Sequence, residues 1–220
     1  MSVDQLDSAI GDTLVTRVTD KTYVPIRSLY SNQPVVMIFL RRFGCQLCRS
    51  YALKLSNELH PILKKNNIGF VGIGLEQFGL EEFQQGNYFS GDLYVDEGKK
   101  TYRTLGLPYL GWIKGISDLF VSSTRTWNDE TKKMGVTGNL KGDGFQLGAT
   151  YVVGPKDGKV WLAHPQKDYG DHPSIDEIVK TLRNNIIRFD LHLSDKKQEW
   201  DRFVRNTFTI IYSKELNASL

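Results

Sequence analysis

Only two cysteines occur among the 220 residues, and they stand three positions apart as Cys45 and Cys48. A small secreted scaffold held together by disulfides needs more cysteines at wider spacing, so a covalently stapled fold is excluded. No long apolar run is present either. The longest, Pro34-Val35-Val36-Met37-Ile38-Phe39-Leu40, falls far short of the ~20 residues that a membrane-spanning helix requires. The opening residues MSVDQLDSAI carry acids early and no basic stretch followed by an apolar one, so they do not read as a secretion signal. The expected location is therefore the cytoplasm, where a closely spaced cysteine pair is chemical rather than structural. Charge of one sign is also missing: 28 Lys and Arg are set against 25 Asp and Glu, scattered along the chain, so nucleic acid is not an expected partner. The four histidines, His60, His164, His172 and His192, show no spacing that would complete a zinc site with the cysteines, and no metal is expected.

What is present suffices for one core. With 40% hydrophobic residues, a chain of this length builds a compact domain without staples. Residues 13–18 and 22–26 are β-rich segments around Asp20-Lys21, the pattern of an N-terminal hairpin. The β-branched run 34–40 reads as a central strand covered on both faces. From about Cys45 to Lys65 the residues Leu47, Tyr51, Leu55, Leu59 and Ile62 recur at helical spacing, and 68–75 is a second central strand. A strand, a helix and a strand in this order fold as a parallel pair. Further on, 79–86 and 98–105 read as short helices and 92–95 as a short strand. An insertion over 109–135 carries Ile113, Ile116, Leu119, Phe120 and Trp127 at roughly helical spacing, as packing against the domain or as the wall of an apolar pocket. Strands 149–153 and 159–163 flank the turn Gly154-Pro155-Lys156-Asp157-Gly158, and a helix over 174–184 begins with a capping box made by Ser174 and Glu177.

In order, these elements give the thioredoxin arrangement, an α/β fold, with an N-terminal β-hairpin and a helical insertion of the kind that peroxiredoxins carry. The domain is expected over residues 1–185, leaving 186–220 as a partly helical C-terminal extension. That extension is too apolar for a solvated tail. It either folds back on the domain or docks on another chain, a second copy included.

The chemistry rests on Cys45-Gln46-Leu47-Cys48, placed where a buried strand gives way to a helix. Cysteines at i and i+3 on a first helical turn come within the ~4.4–6.8 Å Cα separation of a disulfide, so the pair can cycle. Cys45, beside Gly44 at the helix mouth, meets unpaired N–H groups and the positive end of the helix dipole, and both favour a thiolate. Arg41, Arg42 and Arg49 add positive charge. Cys45 is the expected nucleophile and Cys48, one turn deeper and less exposed, the resolving thiol. A zinc half-site, an inert buried pair and a fold used only for binding are the competing readings. In a thioredoxin fold the loop Gly142-Asp143-Gly144-Phe145-Gln146-Leu147-Gly148 faces the pair, so Gln146 and Gly148 join Arg42, Gly44 and Arg49 as supporting site residues. This loop lacks the proline that thioredoxins place there, which argues against a general protein-disulfide role. Arg42 and Ile38 stand where peroxiredoxins have a threonine and a proline, which argues against their small-peroxide cradle. His164 is expected to be a strand-end histidine satisfied by its neighbours.

Four blocks keep their order along the chain: LRRFGCQLCR at 40–49, VGIGLEQFGLEEFQQGNYFSGDLYVDE at 71–97, GVTGNLKGDGFQLG at 135–148 and HPQKDYGD at 164–171. On these the chain resembles the prostamide/prostaglandin F synthases, peroxiredoxin-like proteins of thioredoxin fold, over roughly residues 13–182. The resemblance implies a cytosolic enzyme that reduces the endoperoxide of prostaglandin H2, or of its ethanolamide, to the F2α product. It implies no bound cofactor, with reducing equivalents supplied by thioredoxin and, through thioredoxin reductase, NADPH. The family's nucleophile carries over onto Cys45 and its second thiol onto Cys48. Two alternatives stand beside this reading. One is a general peroxide reductase or redox buffer, and the other an interaction module whose contact surface is the insertion with the extension.

Overall fold

The structure, a computed structural model, describes residues 5–118 and 121–189. Leu119 and Phe120 of the insertion lie outside the described residues, as do the side chains of Ile113 and Ile116 and the extension beyond residue 189. The chain divides after Val179 into two units, and of the second the described residues continue the last helix to Phe189.

A short helix, α1 (Leu6–Ile10), precedes the hairpin of β1 (Leu14–Arg17) and β2 (Tyr23–Pro25), in which Thr16 faces Tyr23. At the hairpin tip Asp20 Oδ1 accepts from the Thr22 N–H at 3.0 Å and from the Thr22 hydroxyl at 2.6 Å. This side-chain turn allows Lys21 its φ of 60°. The central strand is β3 (Val35–Leu40), all six residues buried, as its unbroken apolar run requires. It pairs in parallel with β4 (Gly69–Gly74), which pairs in parallel with β5 (Asp92–Val95). On its other side β3 meets the antiparallel hairpin of β6 (Ala149–Val153) and β7 (Val160–Pro165). The seven strands form one sheet in the order β2-β1-β5-β4-β3-β6-β7. The N-terminal hairpin thus joins the sheet through an antiparallel β1–β5 contact, with Arg17 opposite Tyr94.

Val35, Met37 and Phe39 alternate with period two into a core shared with Val71, Ile73, Ala149, Tyr151 and Val153. Each Val, Ile, Met or Phe side chain of this set contributes roughly 1.5–3 kcal/mol when fully buried. Ile38 and Leu40 line a small cavity together with Cys48 and Tyr51 of the helical run that follows β3. That run comprises α2 (Gln46–Lys54), a π-helical turn at Leu55–Leu59 and α3 (His60–Lys65). Its expected start and end are present, but the regular helix is interrupted. Pro61 has no N–H for the Asn57 carbonyl and its ring crowds that carbonyl, and the wider turn just before it relieves both problems.

The remaining helices are α4 (Leu80–Gln85), α5 (Lys100–Thr104), α6 (Trp112–Ser117), α7 (Ser122–Lys133) and α8 (Ile175–Phe189). In α5 the Tyr102 hydroxyl lies 2.7 Å from both the Leu40 and the Ile73 carbonyl, pinning together the ends of β3 and β4 from which the site is built. Helices α6 and α7 form the expected insertion. Trp127 of α7 packs edge-on to Tyr51 of α2 and donates to the Leu47 carbonyl at 3.2 Å, so this member of the apolar stripe is packing. At the start of α8 the Ser174 hydroxyl accepts from the Glu177 N–H at 3.1 Å, the N-cap half of the expected box. Among the described residues no helix is long and apolar enough to cross a membrane.

Candidate active site

The end of β3 delivers Arg41 and Arg42, and Cys45 then caps α2, its sulfur accepting from the Cys48 N–H at 3.4 Å. Both cysteines are free thiols in this structure. Cys45 is 3% exposed and Cys48 6%, so the expected difference in depth is not there. What separates the two sulfurs is charge. Arg41 Nη2 donates to Cys45 Sγ at 2.6 Å. The Cys45 thiol is held well below its ordinary range, first by the hydrogen bond from the Cys48 thiol. Burial opposes this, and the charge of Arg41, the Cys48 N–H and the charge of Arg42 reinforce it. Cys48 moves the opposite way, pushed well above the ordinary thiol range by that same hydrogen bond, by burial and by the charge on Cys45. The surroundings thus favour a thiolate at Cys45 and a neutral thiol at Cys48, the polarity a nucleophile and a resolving thiol need.

Arg41 is 5% exposed and held from three sides. Beyond the thiolate, its Nη1 donates to the Gly144 carbonyl at 3.2 Å and its guanidinium lies 4.0 Å from the centre of the Tyr169 ring. Burial works against its charge, but the cysteine sulfurs more than offset that and raise its affinity for the proton. The loop over 142–148 thus reaches the site as expected, through a backbone carbonyl.

The other expected site residues are placed as follows. Arg42 is buried, donates to the Lys141 carbonyl at 3.4 Å and adds charge near Cys45. Gly44 sits under the segment 139–141: a Cβ there would strike the Asn139 side chain, and its carbonyl accepts from the Asn139 N–H at 2.7 Å. Arg49 turns to the far side of the helix mouth, binding the Phe43 carbonyl at 2.8 Å, the Thr137 carbonyl at 3.0 Å and Glu82 at 3.1 Å. It clasps the covering segment and Glu82. Gln146 turns its amide to the Leu107 and Pro108 carbonyls, both at 3.2 Å, and so anchors the loop. Gly148 donates to Gln166 Oε1 at 2.8 Å. His164 is paired with Asp171 at 2.9 Å.

With Arg41, which the sequence reading named only as added charge, Tyr169, Gln166 and His172 form a side of the site whose three further members it did not single out. Three of the four come from one stretch, the block 164–171 and the residue after it, which folds back from β7 over the end of β3. Position alone does not tell Arg41 from Arg42. Both reach the covering loop, Arg41 at the Gly144 carbonyl and Arg42 at the Lys141 carbonyl, and only the folded structure shows that Arg41 is the one that bonds Cys45 Sγ. Among the described residues, no group of three or more His, Cys, Asp or Glu side chains converges to hold a metal ion. At 3% exposure, Cys45 offers little open surface to a bulky substrate.

Residues 54–168 match the family described as AhpC/TSA antioxidant enzyme, beginning just after the cysteine pair. Among curated proteins, the chain is 38% identical over 173 residues to the prostamide/prostaglandin F synthase of Salmo salar, covering 79% of this chain and 86% of that protein. The synthase of Homo sapiens is 35% identical over 173 residues, with 79% and 87% covered. The chain belongs to the prostamide/prostaglandin F synthase family. Its fold is shared more widely, at much lower identity. Peroxiredoxin Q of Xanthomonas campestris superposes with a TM-score of 0.57 at 15% identity, covering 83% of this chain and 99% of that one. The PrxQ of Xylella fastidiosa gives 0.58 at 15% identity, with 84% and 98% covered. The thioredoxin-like, peroxiredoxin-like fold expected from the order of elements is the fold observed.

Proposed function

We propose that this chain is a thiol-dependent reductase of O–O bonds working through a Cys45–Cys48 disulfide cycle, with the endoperoxide of prostaglandin H2 or its ethanolamide as substrate. The observation that carries the reading is the contact of the Arg41 guanidinium and the Cys48 N–H with Cys45 Sγ, which favours a thiolate at Cys45 and leaves Cys48 beside it as the neutral partner. In the first step Cys45 attacks one oxygen, an S–O bond forms, the O–O bond breaks, and the departing oxygen leaves with the electron pair and takes a proton from solvent. In the second, Cys48 gives up its proton and attacks the Cys45 sulfur. The S–S bond forms as the S–O bond breaks, and the second oxygen takes up a proton. The dithiol has lost two electrons and the peroxide bond has become two hydroxyls. No bound cofactor is needed, and a thioredoxin supplied by its reductase and NADPH in the cytosol returns the disulfide to the dithiol.

The family supports the endoperoxide, and so do Arg42 and Ile38 at the positions where peroxiredoxins hold a small peroxide. The 3% exposure of Cys45 favours a second reading, a reductase of small peroxides, which enter a closed site more easily. NADPH consumption with thioredoxin and its reductase, at matched concentrations of prostaglandin H2 and hydrogen peroxide, separates the two. Faster turnover of prostaglandin H2 with F2α product by chromatography is expected. Faster turnover of hydrogen peroxide without that product assigns the chain to the second reading. In either case Cys45→Ser abolishes turnover, and Cys48→Ser stops after the first step with an oxygen adduct or sulfenate on Cys45 visible by mass spectrometry. Normal turnover by Cys45→Ser refutes both readings.

A further inference from the structure

Beside Cys48 lies a small cavity of about 10 Å³ whose lining includes Cys48, Arg41, Tyr51, Thr150, Gln166 and His172. It is on the scale of a single water molecule. His172 is fixed in it. Its ring stacks on Tyr51, centroids 3.9 Å apart and planes 14° from parallel, and meets the edge of Trp127 at 5.7 Å. Tyr51 stands three residues after Cys48, on the same face of α2, so the imidazole lies against the turn that carries the resolving thiol.

The hydrogen-bond pattern settles where His172 keeps its proton. Gln166 Oε1 accepts from the Gly148 N–H at 2.8 Å, and Gln166 Nε2 faces both the Asp171 carbonyl at 3.2 Å and His172 Nδ1 at 3.1 Å. Turning the amide over would set oxygen against the Asp171 carbonyl and nitrogen against the Gly148 N–H, so it has one orientation. His172 Nδ1 is then an acceptor and the neutral ring carries its hydrogen on Nε2. Burial, followed by the charge of Arg41, holds the ring neutral, its pKa lowered to about 3 against the pull of Asp171. Nε2 is enclosed and has no hydrogen-bond partner among the described residues. A buried donor left unpaired costs free energy, and it is retained where something else receives it.

We propose that His172 is a positioning residue for the resolving step: its Nε2–H, presented to the cavity it shares with Cys48, donates to the Cys48 sulfur, directly or through one water, as that thiol loses its proton. The proposal rests on the Cys45–Cys48 cycle given above. While Cys45 is a thiolate, its charge and its hydrogen bond keep Cys48 protonated. Once Cys45 carries oxygen, both influences end, and burial alone still opposes a thiolate at Cys48. Against it stand the charge of Arg41 and the Arg42 N–H, to which the neutral ring adds a donor from the cavity side. The Cys48 proton goes to the departing oxygen, and His172 keeps its own throughout. The charged and titratable groups around this ring are Arg41 at the end of β3, Tyr51 and Cys48 on α2, and His164 and Asp171 on β7 and the turn after it.

The full chain is reduced, freed of reductant and mixed with hydrogen peroxide as a generic oxidant, and two rates are read across pH by quenching and mass spectrometry. These are the oxidation of Cys45, trapped as sulfenate, and the closure to the Cys45–Cys48 disulfide. His172→Phe keeps a ring against Tyr51 and removes the donor. Relative to oxidation, closure in it slows about tenfold or more, the size expected for a hydrogen bond to a charged group, and its pH profile moves to higher pH. His172→Gln restores an N–H near the place of Nε2 and recovers most of the loss. Gln166→Glu removes the donor to Nδ1 and shifts the ring hydrogen off Nε2. It slows closure in the same way and gives a reading even if the phenylalanine variant does not fold. An unchanged ratio and profile in His172→Phe overturns the proposal, and so does slowing without a pH shift and without recovery in His172→Gln. A wild-type chain that never forms the Cys45–Cys48 disulfide overturns the cycle itself, an outcome visible before any variant is made.

Discussion

Arg41 and Cys45 are four residues apart in the chain and meet at 2.6 Å between Nη2 and Sγ. The contact exists because β3 ends one residue before Arg41 and α2 begins one residue after Cys45, so the short link between them doubles back. The link is itself held: the Cys45 N–H reaches the Arg42 carbonyl at 3.3 Å, and Tyr102 pins the Leu40 carbonyl at the strand end. A guanidinium cannot shed its proton, so it gives the thiolate a partner that does not titrate in the working range of the enzyme.

Replacing Arg41 by Leu is therefore expected to raise the Cys45 pKa, because it removes a close opposite charge and a donor to the sulfur. At neutral pH the thiolate fraction falls accordingly. Thiolate absorbance in the ultraviolet, followed through a pH titration, gives the midpoint, and alkylation rates at neutral pH give the reactivity. Arg42→Leu serves as the comparison and should move the midpoint less, since Arg42 acts at longer range and makes no bond to the sulfur. Equal midpoints for Arg41→Leu and the unaltered protein would remove Arg41 from this role.

Much of the fold follows from local pattern. The runs in β3 and β4 are apolar without alternation because both faces are covered, and the Gly-Pro-Lys-Asp-Gly turn leaves a hairpin as the natural path for β6 and β7. Helix α1 is too short for any periodicity to stand out. The β1–β5 pairing is a long-range match with no local signal. In the site, the cysteine pair and its polarity are legible from the helix mouth alone. The partners of the arginines are not. Arg41, Arg42 and Arg49 all lie within four residues of a cysteine, yet Arg41 alone bonds sulfur, while Arg49 reaches Glu82 and the covering segment. Side chains of that length choose partners by what the tertiary fold brings near them.

Gly148 is expected to be intolerant of any side chain. A Cβ there would drive into the Phe39 carbonyl of β3, and also meet Gln166 Oε1 at 3.0 Å. Backbone inside a sheet cannot retreat as a flexible side chain can. Gly148→Ala should destabilise the protein by about 1–3 kcal/mol, the usual cost of overpacking. By prising Gln166 from the Gly148 N–H it should also slow disulfide closure. Denaturant midpoints measure the first effect and quenched oxidation the second. A variant as stable as its parent would show that β3 and β6 are not held as closely as the structure has them.

The last expectation concerns pH and stability of the reduced protein. The folded pKa of Cys45 is lowered, so its contribution is present above the unfolded thiol value of about 8.5 and is lost as pH falls toward the folded value. Cys48 is raised, so its contribution is present below about 8.5 and is lost as pH climbs past it. Together they place the pair's maximum near about 8.5. His172, lowered to about 3, adds stability above its unfolded value, which is lost as pH falls toward that number. Within its window each group contributes a slope of about 1.4 kcal/mol per pH unit, positive for Cys45 and His172 and negative for Cys48. In the pH unit below about 8.5 the unfolded His is already neutral, so the rise there belongs to Cys45. Cys45→Ser should flatten that rise while leaving the acid-side loss from His172 in place. Denaturant midpoints of the reduced proteins at closely spaced pH values check it. The same upward slope in Cys45→Ser would mean that the thiolate is not what the folded state stabilises.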